Sequence, residues 1–116
     1  MNFDWNKYIQ LGKELGQGDK PEYLRAAISR AYYGLYNRLR IYKHLTTKYR
    51  PHKELIDKLA LAKEFEEERE ISGLLQDLKK FREEADYDGI KNIDKRYAKE
   101  FWTKFDQALE LFENNK

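Results

Sequence analysis

Apolar residues recur along this chain at spacings of three and four, the period of an α-helix that buries one face. Only two prolines and six glycines interrupt the 116 residues, and no segment keeps up the alternation of a half-buried strand. The pattern therefore predicts an all-α protein, an antiparallel bundle of four to five helices joined by short loops. The length is that of one domain, which we assign to residues 1–116.

Glycine and proline mark the ends of the first two predicted helices. Apolar residues from Phe3 to Leu15 define the first helix, and Gly16-Gln17-Gly18 ends it. Asp19 is predicted to cap the second helix, with Pro21 in its first turn, because proline fits where the backbone N–H is unused. This helix is expected to continue to about Leu45.

Three further helices are predicted in the second half of the chain. The third starts near His52 and carries apolar residues as far as Phe65, and the sequence leaves open whether it breaks before the fourth. The fourth covers Ile71 to Ala85 on its apolar spacing. Asp94 can cap the last helix, whose apolar stripe ends at Phe112.

Charge is distributed unevenly, although the formal net charge is only +2. The segment 23–53 contains no Asp or Glu and carries eight basic residues, so the remainder of the chain has a net charge of −6. Either a basic face for a polyanion or an electrostatic match between helices would explain this separation. The basic residues are Arg25, Arg30, Arg38, Arg40, Lys43, Lys48, Arg50 and Lys53.

Composition argues against several classes of protein. The chain has no cysteine, and its longest stretch without Asp, Glu, Lys or Arg is the seven residues 31–37. We therefore expect no disulfide, no membrane span and no secretory leader, and we expect the protein to be cytoplasmic. The two histidines, His44 and His52, lie eight apart across a proline-bearing loop, which is a poor metal geometry. No metal and no cofactor are expected.

The second predicted helix carries the most informative residues. Tyr33, Asn37, Arg40 and His44 fall on one polar stripe, which either lines a cleft for phosphate and stacked bases or is a solvated basic face. The small residues Ala27, Ala31 and Gly34 lie where this helix could approach another backbone closely. Together with the many aromatic residues, they predict a two-fold homodimer through the second and fourth helices.

Three segments together resemble HEPN (higher eukaryotes and prokaryotes nucleotide-binding) domains. Leu24 to Asn37 is similar to the second helix of that family, with its stretch Ser29-Arg30-Ala31-Tyr32-Tyr33. Pro51 to Ile56 resembles the His-led start of the next helix, and Leu78 to Asp88 resembles the segment that ends in Ala-Asp-Tyr-Asp. The resemblance covers almost the whole chain. It implies a HEPN-like helical bundle that pairs as a homodimer.

The resemblance also implies a chemistry. In active members, an arginine and a histidine with four to six residues between them cut RNA at the dimer cleft without a metal. Arg82 matches the arginine, whereas Tyr87, Asp88 and Gly89 occupy the positions where the histidine would fall. A phenol stays protonated near neutral pH, so Tyr87 is a weaker base than imidazole.

Arg82 and Tyr87 are therefore the candidate catalytic residues of a weakened site. Arg82 and Asp86 are four apart, so they could equally form a simple ion pair along one helix. The candidate residues for binding RNA or a nucleotide are Ser29, Arg30, Tyr33, Asn37, Arg40, Arg82 and Asp86.

Three functions remain open from the sequence. The first is a homodimeric module that binds RNA, a nucleotide or a protein partner without an intact nuclease motif. By the same resemblance, it would belong to a toxin–antitoxin or defence system and act beside a small nucleotidyltransferase. The second is an active endoribonuclease in which Arg82, Tyr87 and a polar group such as Ser29 or Asn37 share the work. The third is a structural module whose basic helix matches an acidic partner.

Overall fold

Five α-helices make up the fold in the computed structural model, which describes residues 3–45, 50–62 and 66–116. No strand occurs among these residues, and the predicted all-α class is confirmed. The helices are α1 (Asn6–Leu15), α2 (Pro21–Tyr42), α3 (Pro51–Ala60), α4 (Glu66–Tyr87) and α5 (Lys95–Asn115).

The core forms where α2, α4 and α5 face one another, with α3 laid against α2 and α4. Aromatic and leucine side chains fill it, and burying each such side chain contributes about 1.5–3 kcal/mol to folding. The largest fully buried side chains include Tyr32, Leu35, Leu39, Leu55, Leu59, Leu75, Leu78, Phe101 and Phe105.

Small residues let α1 and α2 approach each other closely. A Cβ atom built on Gly12 would lie 2.8 Å from the carbonyl oxygen of Ala27 and 3.0 Å from the Cβ of Ala31. A Cβ on Gly34 would lie 2.6 Å from Ile9 Cγ1. The close approach predicted for α2 is thus made to α1 of the same chain. The homodimer predicted from these residues therefore needs another surface and stays a prediction.

Proline and capping signals were good guides to where helices start. Pro21 opens α2 as predicted, and α3 begins at Pro51, one residue before the predicted start near His52. The side chain of Asp94 accepts a hydrogen bond from the backbone N–H of Tyr97 at 2.9 Å, which confirms the predicted cap. The cap predicted at Asp19 is wrong. The residue before α2 is Lys20, in extended conformation, and no side chain caps that end.

Helix ends were harder to predict. α2 stops at Tyr42 rather than near Leu45, because His44 adopts a left-handed backbone with φ of 56° and ends the helical hydrogen bonding. Within the residues described, α3 ends at Ala60, and the predicted apolar position Phe65 lies outside the described ranges. The acidic run after it belongs to α4, which starts at Glu66, ahead of Ile71.

Candidate functional site

A histidine from α3 packs against three tyrosines of α2. The Tyr32 hydroxyl and His52 Nδ1 share a hydrogen bond of 2.7 Å. The imidazole stacks on the Tyr36 ring with centroids 4.1 Å apart and planes 15° from parallel. The Tyr33 ring meets it edge-on at 5.9 Å. The aromatic cluster therefore fixes the orientation of His52.

Local backbone geometry explains how His52 reaches this cluster. Tyr32 and Tyr36 are four residues apart on α2, so their side chains lie one above the other on the same face. On α3, Arg50 has a left-handed φ of 45° and Pro51 opens the helix. The chain thus turns sharply just before His52, and this residue enters the first turn beside α2.

Arg82 of α4 lies on the same cluster. Its guanidinium carbon is 5.5 Å from the Tyr32 ring centroid and 5.4 Å from that of Tyr33, within the range of cation–π attraction. The ring centroid of the exposed Tyr87 lies 5.9 Å from the same guanidinium carbon. Arg82 is only 6% exposed, and its buried Nε has no hydrogen-bond partner in the structure.

An acidic side chain completes this end of the cluster. Asp86 Oδ2 lies 3.8 Å from Arg82 Nη1 and accepts a hydrogen bond from Ser29 Oγ at 3.3 Å. The ion pair that the spacing allowed is therefore present. Because Arg82 is buried, its removal is expected to affect the fold as well as the site.

Burial and neighbouring cations set the protonation of the cluster. Partial burial, with Arg82, Lys79 and Arg40 nearby, lowers the pKa of His52 to about 4. Desolvation raises the pKa of Tyr32 above its usual range, so this phenol keeps its proton. At neutral pH, His52 is an uncharged imidazole surrounded by positive charge.

The structure brings together some of the predicted binding residues and separates others. Ser29, Tyr33, Arg82 and Asp86 meet in the cluster, while Arg40 lies 5.6 Å from the Tyr36 ring.

Two predicted residues are turned elsewhere. The side-chain amide of Asn37 donates a hydrogen bond of 2.8 Å to the Tyr33 carbonyl of its own helix. Arg30 lies on the α1 side of α2, over the Tyr8 ring at 5.6 Å. One step along a helix turns a side chain by about 100°, so Arg30 cannot share the face of Ser29.

A basic cleft lies directly outside the cluster. We call it the cationic cleft, and it is lined by Arg50, His52, Lys53 and Lys79. The candidate binding residues predicted from the sequence include neither His52 nor Lys79. The His-led segment that resembles the start of a HEPN helix was the available signal for His52.

Several residues of the basic segment form ion pairs and hydrogen bonds that hold helices of the fold together. Arg38 pairs with Glu113 of α5, and Lys43 lies 2.6 Å from the buried Glu68 of α4. The Arg25 guanidinium donates to the carbonyls of Ala85 at 2.9 Å and Lys91 at 2.8 Å, which ties down the end of α4. The electrostatic match between helices is therefore present. Lys48 lies outside the described residues.

Comparisons with protein-family models, curated proteins and solved structures give no match. Within the described ranges, no helix is both long and apolar enough to cross a membrane. The same residues contain no cluster of three or more His, Asp or Glu side chains that could hold a metal ion.

Proposed function

We propose that this protein binds single-stranded RNA or another phosphate-bearing polyanion at the cationic cleft. The observation that carries the proposal is the convergence of Arg50, Lys53 and Lys79 around one cleft, with His52 in its wall. Arginine and lysine supply the charge and hydrogen bonds that phosphates need. Such contacts give affinity without sequence specificity, because they engage the backbone of the nucleic acid.

Existing ion pairs leave the two lysines of this cleft able to bind phosphate. Lys53 contacts Asp57 at 2.7 Å and Lys79 contacts Glu83 at 3.8 Å, each one turn away on its own helix. Exposed pairs of this kind are worth only about 0.3–0.5 kcal/mol. A phosphate can therefore replace the carboxylate at little cost.

We further propose that the chain is a HEPN-like domain that has lost cleavage but kept binding. The three sequence segments and the helical bundle support this assignment. The proposed pairing with a small nucleotidyltransferase, and a role in a toxin–antitoxin or defence system, rest on the sequence resemblance alone.

Endoribonuclease activity is the second candidate. One observation favours it, since the fold carries His52 into the cluster that also holds Arg82, although the two are 30 positions apart in sequence. A neutral imidazole can accept a proton from a ribose 2′-hydroxyl. Against this, Arg82 is only 6% exposed, so a phosphate has little access to its guanidinium. Binding without cleavage is therefore the better supported function.

Fluorescence anisotropy with a labelled single-stranded RNA tests the binding proposal. About three phosphate contacts predict a slope near −2 for log affinity against log salt concentration. Lys53→Glu with Lys79→Glu should weaken binding at least tenfold and flatten this slope. The matched control is Lys95→Glu with Lys99→Glu, two exposed lysines of α5. Equal losses in both double variants, or no RNA binding at low salt, would contradict a site at the cationic cleft.

Incubation of the same RNA separates the two candidates. We expect the wild-type protein to leave the RNA intact while binding it. If the wild-type protein cleaves the RNA, and this cleavage is lost in His52→Ala but kept in His44→Ala, the protein is an endoribonuclease and the proposal of binding without cleavage is wrong.

A further inference from the structure

Among the residues that the structure describes, the three most exposed large apolar side chains lie in two clefts. Ile90 is 97% exposed, Tyr87 78% and Leu61 72%. Single exposed apolar residues are common on protein surfaces and need no explanation. Here, however, each one shares a cleft with several charged side chains, and the two clefts carry opposite net charge.

The acidic cleft follows the end of α4. Its charged residues are Glu83, Glu84 and Asp88, and its apolar residues are Tyr87 and Ile90. Asp88 Oδ1 accepts hydrogen bonds from the backbone N–H groups of Ile90 at 3.0 Å and Lys91 at 3.1 Å. This turn holds the Ile90 side chain out into solvent.

The second cleft runs along α3, and we call it the α3 cleft. Its lining is Arg50, Lys53, Glu54, Asp57, Lys58 and Leu61, three cations against two carboxylates. Arg50 and Lys53 line the cationic cleft as well, so positive charge continues from one cleft into the other. Leu61 is the exposed apolar side chain at its far end.

The exposed apolar residues of the two clefts, Leu61 and Ile90, lie toward opposite ends of α4. The Arg69 guanidinium donates to the carbonyl of Ala62 at 2.7 Å, which places the Leu61 end of α3 beside the first turns of α4. The acidic cleft follows the other end of α4, a helix of 22 residues and therefore about 33 Å long. One molecule cannot fold its acidic cleft onto its own Leu61.

We propose that the acidic cleft of one molecule docks on the α3 cleft of a second copy of this chain. Ile90 and Tyr87 would pack against Leu61 and exclude water, while the carboxylates of one copy face the lysines of the other. Opposite charges at the rim orient the two molecules and speed their encounter. Because each patch is small, the association is weak and depends on protein concentration.

Mass measurement across a concentration series tests the apolar contact. The average mass of the wild-type protein should rise above the 14.1 kDa of one chain as concentration increases. Ile90→Asp should hold it near that value. Ile41→Asp is the matched control, since Ile41 is 54% exposed and lies in neither cleft. A wild-type mass of one chain at every concentration, or equal effects of the two substitutions, would overturn the proposal.

Charge exchange tests the pairing itself. The double variant Glu83→Lys with Asp88→Lys should be monomeric, because two positively charged clefts would then face each other. The double variant Lys53→Glu with Lys58→Glu should also be monomeric, because both clefts would then be negatively charged. Mixed together, the two variants should associate. If circular dichroism shows that the Asp88 substitution disturbs folding, Glu83→Lys alone replaces the first variant. A mixture that stays at the mass of one chain would overturn the proposal.

Discussion

At the scale of single residues, the site is a set of polar groups held at the edge of the core. Tyr32 is fully buried, yet its hydroxyl has His52 as a partner, which avoids the cost of a buried unsatisfied group. Arg82 is less well satisfied, because its nearest carboxylate oxygen is 3.8 Å away and its Nε lacks a partner. Aromatic rings provide most of its surroundings. The cluster therefore combines packing with electrostatics.

Arg82→Ala should destabilise the folded protein by about 2–4 kcal/mol. The substitution leaves a void between the tyrosines and removes the cation that faces Asp86. Urea denaturation measures the loss as a shift of the unfolding midpoint. Lys80→Ala, at an exposed position two residues earlier on α4, is the control and should change stability by less than about 0.5 kcal/mol. A neutral effect of Arg82→Ala would mean that the guanidinium contributes nothing to folding.

His52 should make the fold sensitive to acid. Its pKa is about 4 in the folded protein and about 6.5 in an unfolded chain, so the unfolded state takes up the proton first as pH falls. Stability should therefore decrease from pH 6.5 toward pH 4, and this part of the loss should be missing in His52→Gln. The rings against the imidazole are Tyr32, Tyr33 and Tyr36 of α2, and the cations near it are Arg40 of α2, Arg50 and Lys53 at the start of α3, and Lys79 and Arg82 of α4. The nearby carboxylates Glu83 and Glu54 act on Tyr32 and Tyr36.

Chemical unfolding at several pH values checks this expectation. His44→Gln serves as the control, because His44 is exposed and lies outside the aromatic cluster. Parallel pH profiles for the wild-type protein and His52→Gln would show that the imidazole does not carry the effect.

At the scale of helices, close packing decides which faces remain free. α1 covers the small-residue face of α2, and α3 covers one side of α4, where Ser72 Oγ donates to the carbonyl of Ile56 at 2.7 Å. The cationic, α3 and acidic clefts remain open to partners. The contact between α1 and α2 is also the one most sensitive to added volume.

Gly34→Ala should destabilise the protein by about 1–3 kcal/mol, since the new methyl group would lie 2.6 Å from Ile9 Cγ1 and 2.9 Å from the Trp5 carbonyl oxygen. Gly73→Ala in α4 is the matched comparison. Its Cβ would meet nothing within 4 Å, so helix propensity should raise stability by about 0.5–1 kcal/mol. Thermal denaturation should therefore move in opposite directions for the two variants. The same direction for both would contradict the close packing of α1 on α2.

At the scale of the whole molecule, the two proposals share residues. RNA in the cationic cleft and a second copy in the α3 cleft would both contact Arg50 and Lys53. The phosphates of RNA and the carboxylates of a second copy cannot contact the same cations at once. The proposals therefore predict competition between RNA binding and association of the chain.

Addition of single-stranded RNA should lower the mass of the associated protein to that of one chain with bound RNA. Light scattering at a fixed protein concentration checks this outcome, with an uncharged polymer of similar length as the control. If RNA binds and the protein stays associated, RNA and the second copy occupy separate surfaces and the predicted competition is absent.

The sequence by itself determined the helical class and the start of most helices. Periodic apolar spacing, Pro21, Pro51 and the cap at Asp94 act within a few residues, so their effect can be predicted without knowing the rest of the fold. The need for small residues on α2 was equally visible, because a glycine in mid-helix has a cost that packing must offset.

Only the tertiary structure decided what those elements meet. Several contacts depend on how separate helices pack. They are the ion pair of Lys43 with Glu68, the position of Arg30 beside α1, and the cluster of His52 with Tyr32 and Arg82. A local pattern carries no information on such contacts, since their geometry follows from crossing angles and loop paths set by the whole core. His52 and Arg82 lie 30 positions apart in the chain, and only the packing of α3 and α4 on α2 brings both to the Tyr32 ring.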